Sequence, residues 1–455
     1  MERFDNKRIL VMGMGRSGIA CARFLNDRGG EVTVTDSADA STLASAAAEL
    51  RGLGIAVEMG RHSGDLFTSL DLIVISPGVP HTLEPLEEAR RRGIPVIGEI
   101  ELACRFIGQP IVAVTGTNGK TTTTTLLGRM IEASGLSTFV GGNIGTPLIE
   151  YVAEGHRRDR VVAEVSSFQL DTIERFRPKV GVLLNITPDH LDRYDDMAAY
   201  TRSKGRLFEN QSAEDIAILN GGDPAVLSMA ARIAARKWFF NPSSSTDDGI
   251  FLEREALVIR IEGSGPLVVD ISATHLTGKH NLENIAAAAL ATLATGGSVE
   301  GIMSALADFR GLPHRLEYVA TVGGVRYFDD SKGTNTDAVV RALDAFENPV
   351  VLIMGGRDKG GGYGDLRAAV KKRVKHLVLI GEAREAIARE LGDCCAGRIS
   401  KVTSMEAAVQ CAHTSAEPGD VVLLSPACAS FDMFKSYAHR GEVFCRAVAA
   451  LSEDP

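Results

Sequence analysis

A chain of 455 residues, at roughly 150 residues per domain, has the length for about three domains and several separate cores. Forty-nine Lys and Arg against 58 Asp and Glu leave a formal charge of −9, with 24% charged and 45% apolar residues. That balance excludes a disordered chain and a globally basic nucleic-acid binder, so any cations that meet an anion must be gathered locally.

No run of ~20 predominantly apolar residues marks a membrane span. The opening MERFDNKR passes directly into ILVMGMG, without the basic and apolar regions of a secretion signal. The seven cysteines are scattered, with no C-x-x-C pair, which fits thiols in a reducing compartment better than disulfides or zinc. A cytoplasmic protein is expected.

In chain order, β-rich runs alternate with helix-permissive segments, the pattern of parallel sheets with crossover helices, so the class is α/β. The first hundred residues predict strands at Ile9–Met12, Glu31–Thr35, Ile55–Glu58, Leu72–Ile75 and Pro95–Ile97. A second series comprises Ile111–Val114, Val161–Val165, Val180–Leu184 and Ile216–Leu219. The third starts near Tyr318 and includes Val325–Phe328, Val350–Met354, His376–Ile380 and Val421–Leu424. Gly and Pro punctuation sets boundaries near residue 98 and at Gly311–Pro313, giving domains 1–98, 99–311 and 312–455. The Ser-rich stretch 241–249 reads as a loop within the middle domain.

Two glycine-rich turns follow strands. The first, GMGRSG at 13–18, runs into a helix-permissive stretch, with Asp36 ending the next strand. Glycines permit a tight turn and close backbone approach, and the helix start faces a diphosphate, so these residues alone fit an NAD-type site or a plain strand–helix turn. Ser76 and Gly78 follow the strand LIVI at the same kind of edge. The second turn, Gly116-Thr117-Asn118-Gly119-Lys120-Thr121-Thr122, lies between the strand IVAV and a helical stretch. Its backbone N–H groups suit phosphates, Lys120 suits the β- and γ-phosphates, and Thr121 suits magnesium. The loop is shorter than the general phosphate-loop pattern, because Val114 stands where that pattern has its first Gly.

Glu164 interrupts the apolar run VVAEV and precedes Ser166, a carboxylate suited to a metal near a phosphate loop. His190 sits among carboxylates in NITPDHLDRY at a strand end. Lys204, in YTRSKGRLF, reads from the residues alone as an exposed helical lysine.

GTNGKTT, VVAEVSSFQL, NITPDHLDRY, the TGKHN segment at 277–281, GLPHRLE and FDDSKGTN occur in an order and spacing that resemble the Mur ligases, the cytoplasmic enzymes that build the peptidoglycan stem peptide. The likeness spans nearly the whole chain, and SPACASFDMF at 425–434 resembles the D-glutamate-adding branch. The resemblance implies three domains: an N-terminal Rossmann-like domain, a central P-loop ATPase-like domain with a mainly parallel sheet, and a C-terminal Rossmann-like domain.

It also implies an ATP-dependent ligase joining D-glutamate to UDP-N-acetylmuramoyl-L-alanine through an acyl phosphate, acting as a monomer, without nucleic acid. Glu164, His190, Thr121 and a carbamylated Lys204 would serve two magnesium sites, with Lys120, His190 and Lys204 as the catalytic set. Asn281 and Asn284 would face the adenine, although either also reads as an N-cap. Arg315 and Asp330 would meet the nucleotide. Lys332, Thr334, Lys359, Ser430, Phe431 and Tyr437 would surround the acyl group and the incoming glutamate. The first glycine turn then receives UDP instead of NAD, with Arg16, Ser17, Asp36, Ser37, Ser76, Gly78 and Asn143 around the UDP-sugar and Ser166 beside the substrate. Closure of the domains is expected to exclude water from the acyl phosphate. The rival readings are an NAD-binding oxidoreductase, which leaves the second loop unexplained, and a sister amide ligase such as a folylpolyglutamate synthase.

Overall fold

The computed structural model describes the chain except residues 1–2, 63, 68, 156, 192, 242–247, 254–255, 264, 277, 359, 361, 396–397 and 452–455. Three sheets follow one another along the chain. The first contains β1 (Arg8–Met12), β2 (Glu31–Asp36), β3 (Ala56–Met59), β4 (Leu72–Ile75) and β5 (Val96–Gly98), in the order β3-β2-β1-β4-β5 and parallel throughout.

The second contains β6 (Ile111–Thr115), β7 (Thr138–Gly142), β8 (Arg160–Glu164), β9 (Val180–Leu183), β10 (Ile216–Asn220), β11 (Arg236–Phe240), β12 (Gly249–Glu253), β13 (Ala256–Arg260) and β14 (Leu267–Asp270). Their order is β14-β13-β12-β11-β10-β9-β6-β8-β7, antiparallel only where β13 and β14 extend the edge. The third contains β15 (Glu317–Val322), β16 (Val325–Asp329), β17 (Val350–Gly355), β18 (Val374–Ile380), β19 (Ile399–Lys401) and β20 (Val421–Leu424). These lie in the order β15-β16-β20-β17-β18-β19, with β15 antiparallel to β16.

Strands such as IVAVT in β6 and VVLL in β20 are buried along their whole length. Helices on both faces of a parallel sheet require this, which is why these strands read as continuous apolar runs instead of alternating ones. The predicted strands all form, within a residue or two of their expected ends. The sequence reading missed β7, β11 to β14 and β19. The β12–β14 edge leaves Leu252, Leu267 and Val268 exposed, so it carries no buried run to read. Within 241–249, residues 242–247 lie outside the described set.

The parallel pairing sets the chemistry, because it brings the carboxyl ends of neighbouring strands to one edge, where ligands of open α/β sheets collect. In the first sheet Met12 pairs with Thr35 and Ile75, bringing together Gly13, Asp36 and Ser76. In the second, Val114 pairs with Glu164 and Thr115 with Leu183, so the second glycine loop, Glu164 and Asn185 share an edge. In the third, Leu424 pairs with Asp329 and Ile353, which gathers the loops opening at Asp330, Gly356 and Ser425.

Two compact units are present. One runs to Ile186 and includes Ala198–Ala273 and Glu283–Asp308, carrying the first two sheets. The other comprises Thr187–Met197, Thr274–Leu282 and the chain from Phe309, carrying the third. The turn bearing His190 and the segment bearing Asn281 thus group with the C-terminal sheet. Among the described residues no helix is long and apolar enough to cross a membrane.

Candidate active site

The loop after β6 is shaped by two left-handed glycines. Gly116 (φ 155°) and Gly119 (φ 85°) adopt conformations costly for other residues, and a Cβ on Gly119 would lie 2.3 Å from Asn284 Oδ1. Asn185, at the end of β9, splints the loop: its Oδ1 accepts from the Asn118 amide at 2.8 Å and its Nδ2 donates to Asn118 O at 3.1 Å. Its carbonyl takes the Thr117 amide at 2.9 Å. Asn185 was no site candidate, although a polar residue opening NITPDH at a strand end was a readable signal. The helix Lys120–Ala133 starts directly behind the loop and presents its first N–H groups there.

Two ammonium groups converge on one oxygen of this loop. Lys120 Nζ donates to Gly116 O at 2.9 Å and Thr117 O at 2.8 Å, and Lys204 Nζ donates to Gly116 O at 2.8 Å. Lys204 is 1% exposed, with its charge 4.7 Å from the Tyr200 ring centre. The surface-lysine reading from the residues alone is therefore wrong: the helix Met197–Gly205 turns this position inward. Glu164, 2% exposed, accepts from Asn143 Nδ2 at 2.8 Å through Oε1, while its buried Oε2 has no hydrogen-bond partner among the described residues. Paired cations suit phosphate oxygens, and an unpaired buried carboxylate oxygen suits a hard divalent cation. The residues present fit a magnesium nucleotide, with Thr121 at the second position of the helix.

Neither asparagine caps the helix Lys279–Ala294, because both lie inside it, which corrects the N-cap alternative. Asn284 is buried and accepts from Thr123 Oγ1 at 3.2 Å, so it braces the phosphate loop. Asn281 belongs to the C-terminal unit, beside His280, whose imidazole is pushed down to about 4 by burial, then by Arg341 and Arg315.

Around the first glycine turn, Asp36 is half-buried and braces the backbone: Oδ2 accepts from the Met14 amide at 2.7 Å and Oδ1 from the Ala38 amide at 2.9 Å. Ser76 Oγ donates to Gly13 O at 3.3 Å. Ser17 is half-buried, and Ser37, Gly78 and Asn143 are exposed. Arg16 pairs with Glu150 through Nε at 3.1 Å and Nη2 at 2.8 Å, and donates to Gly145 O at 2.8 Å. Ser166 caps the helix Ser167–Leu170 in a reciprocal box with Gln169, a device worth about 1 kcal/mol.

In the C-terminal unit, His190 adopts a left-handed backbone (φ 57°), and its Nε2 lies 3.6 Å from Asp189 Oδ2, which also accepts from Asn335 Nδ2 at 3.1 Å. A cleft here is lined by Asp189, His190, Thr334, Asn335, Tyr363 and Ala427, among others. Lys332 Nζ lies 5.2 Å from the Tyr437 ring centre. Ser430 is buried, whereas Phe431 and Tyr437 are exposed. Lys359 lies outside the described residues. Arg315 has a buried Nε with no hydrogen-bond partner among the described residues. Asp330 is buried, accepting from Ser425 Oγ at 2.7 Å and the Leu316 amide at 3.3 Å, and burial pushes its carboxyl up to about 6.

That shift has a definite sign. With a folded-state pKa above the unfolded value, Asp330 holds its proton more tightly when folded, so stability falls as pH rises from about 3.8 to about 6. Asp330→Asn is expected to raise the thermal midpoint relative to the parent more at pH 7.5 than at pH 4. Equal differences at both pH values in melting curves would contradict the burial of this carboxyl.

A glycine phosphate loop, a buried acid and a buried lysine on one sheet, with further polar loops on a separate C-terminal sheet, define a multidomain nucleotide-dependent enzyme. The chain belongs to the Mur ligase family. Its residues 7–98 match the Mur ligase MurD-like N-terminal domain, 114–292 the Mur ligase middle domain, and 314–428 the Mur ligase glutamate ligase domain. It is thereby an ATP-dependent, amide-forming ligase of peptidoglycan precursor synthesis, which rules out the oxidoreductase reading.

The chain is 52% identical over 451 residues to the UDP-N-acetylmuramoylalanine–D-glutamate ligase of Desulfosudis oleivorans, covering 99% of this chain and 97% of that one. It is 51% identical to the ligase of the same name from Geotalea daltonii, with 98% of each chain covered. A crystal structure of the UDP-N-acetylmuramate-alanine ligase MurC from Thermotoga maritima superposes with a TM-score of 0.58 at 19% identity, covering 98% of this chain and 100% of that one. That last likeness shows the fold.

Proposed function

We propose that the chain joins D-glutamate to UDP-N-acetylmuramoyl-L-alanine at the expense of ATP, in the cytoplasm and as a monomer, with domains at 1–98, 99–311 and 312–455. The observation that carries this reading is the end-to-end identity of about 50% with ligases of that name, joined to the convergence of Lys120 and Lys204 on Gly116.

A carboxylate is a poor electrophile, so the L-alanine carboxylate attacks the γ-phosphorus of ATP, giving an acyl phosphate and ADP. The loop Gly116 to Thr122, through the N–H groups at its helix start, and the Lys120 ammonium take up the phosphate charge; this positioning and neutralisation supply most of the rate. Thr121, Glu164, His190 and Lys204 would hold magnesium, which neutralises phosphate oxygens when bound. Lys204 would do so as a carbamate: a neutral Nζ attacks CO2, loses a proton and becomes an anionic oxygen donor. Asn281, Asn284, Arg315 and Asp330 serve the nucleotide, with Asn284 acting through the loop it braces.

The amine of D-glutamate then attacks the acyl carbon, and the tetrahedral intermediate expels phosphate to leave the amide. The first glycine turn, with Ser17, Asp36, Ser37, Ser76, Gly78 and Asn143, takes the UDP-sugar, and Arg16 and Ser166 shape its surroundings. Lys332, Thr334, Lys359, Ser430, Phe431 and Tyr437 take the amino acid. A substrate with two carboxylates and one nucleophilic amine needs cationic and hydroxyl partners that leave the amine free, and Lys332, Ser430 and Thr334 offer them.

With both carboxylates pinned, the L-isomer directs its amine away from the acyl carbon. Phosphate release across pairs of acceptors and amino acids tests the assignment, with D-glutamate expected to be used and L-glutamate not. Equal use of the two isomers would sink the glutamate pocket, and turnover confined to a folate acceptor would favour the sister ligase.

A further inference from the structure

Between β5 and β6 runs a short helix, Glu99–Cys104, whose sequence EIELAC places two glutamates in the interior: Glu99 is 1% exposed and Glu101 0%. Both accept from backbone amides of the second sheet's domain. Glu101 Oε2 takes the amides of Glu174, Arg175 and Phe176, each at 2.9 Å, and its Oε1 takes Arg105 Nε at 3.0 Å. That carboxylate is well satisfied, and its role is to hold the turn before β9.

Glu99 is different. Its Oε1 accepts from the Ile149 amide at 2.8 Å, and its buried Oε2 has no hydrogen-bond partner among the described residues. Burial pushes its carboxyl up to about 7, against the Ile149 and Leu148 amides that favour the charged form, with Glu150 adding a smaller repulsion. A buried acid with one unpaired oxygen costs stability. An acceptor buried here calls for a local reason.

The surroundings of Ile149 supply one. Ile149 is the second residue of the helix Leu148–Glu154, which follows directly on the loop 142–147. That loop closes on itself through the Gly142 amide and Thr146 O at 2.9 Å. It grips Glu164 twice, by the Asn143 amide on Glu164 O at 2.9 Å and by Asn143 Nδ2 on Glu164 Oε1 at 2.8 Å. From the first glycine turn, Arg16 reaches Gly145 O and Glu150. The loop is therefore held at one end by Glu164, in its middle by Arg16 and at its exit by Glu99.

We infer that Glu99 is a positioning residue for the UDP-sugar: by fixing the helix start at Ile149 it sets the loop that presents Asn143 and Gly145 between the first glycine turn and Glu164. This rests on the assignment of that turn and Asn143 to the UDP-sugar. Glu101, equally buried on the same helix, holds amides outside this loop and serves as the internal control.

The test uses the full-length chain and measures affinity for UDP-N-acetylmuramoyl-L-alanine by calorimetry without ATP, KM for each substrate, and the thermal midpoint. Glu99→Ala is expected to weaken UDP-sugar binding about tenfold, a loss of the size expected for one charge-assisted hydrogen bond, while KM for D-glutamate stays within about twofold. Glu99→Gln, which keeps an acceptor for Ile149, should restore much of the affinity. Glu101→Gln should lower the midpoint without a selective change in either KM. If Glu99→Ala does not fold, Glu99→Asp replaces it, since the shorter side chain draws the acceptor back from Ile149 and should weaken UDP-sugar binding in the same way. Parental UDP-sugar affinity in the folded Ala or Asp variant, or an equal rise in both KM values, overturns the inference. A parent chain that does not bind UDP-N-acetylmuramoyl-L-alanine would instead overturn the functional assignment beneath it.

Discussion

Lys120→Ala is expected to lower ATP-dependent phosphate release by at least about 10²–10³-fold, the range for losing one preorganised charge-stabilising group, while affinity for UDP-N-acetylmuramoyl-L-alanine persists. The Lys120 ammonium sits over Gly116 O and Thr117 O, on the loop that follows β6. The first glycine turn follows β1, in a different sheet. Because each loop takes its shape from its own sheet edge, deleting one cation should leave the other turn intact. Calorimetry on the folded variant checks this, and a parallel loss of UDP-sugar affinity and turnover would show that the two loops are not separate sites.

Lys204→Ala should lose most activity for a different reason. An ammonium that is 1% exposed has given up its hydration, and a second ammonium, that of Lys120, already donates to the same carbonyl oxygen. Capture of CO2 by this buried amine would relieve the meeting of two cations at one oxygen. Carbamylation replaces the cation with an anionic donor near the phosphate loop. Acetate is expected to restore part of the activity of Lys204→Ala by supplying a carboxylate in the vacated volume, and 13C-bicarbonate should label the parent but not the variant in carbon NMR. A folded alanine variant that turns over like the parent, or an unlabelled parent, would refute the carbamate.

Much of the architecture was readable because parallel strands buried on both faces announce themselves as apolar runs, and because glycines with left-handed backbone, such as Gly119, are demanded by the loop itself. Gly116 to Thr122 was legible on that basis as a phosphate-type loop, and Glu164 as a carboxylate interrupting an apolar strand beside it. Lys204 was not: one lysine in a polar helix looks like any exposed lysine, and only the family resemblance pointed inward. The β12–β14 edge was missed because its strands mix buried residues such as Leu257 and Ile259 with exposed ones and so form no continuous apolar run.

By itself the sequence determined the α/β class, the order of three strand series, the two phosphate-type turns and, through its ordered motifs, the ligase family, since each of these depends on local spacing or on a linear pattern. The tertiary structure decided what depends on residues distant in sequence: Lys204 turned onto Gly116 from 88 residues away, Arg16 committed to Glu150 and Gly145, Asn284 braced against the phosphate loop, and Glu99 buried under Ile149 from 50 residues away. These contacts arise where parallel pairing brings strand ends to a common edge and a crossover helix returns over it. No periodicity along the chain encodes which side chains then meet.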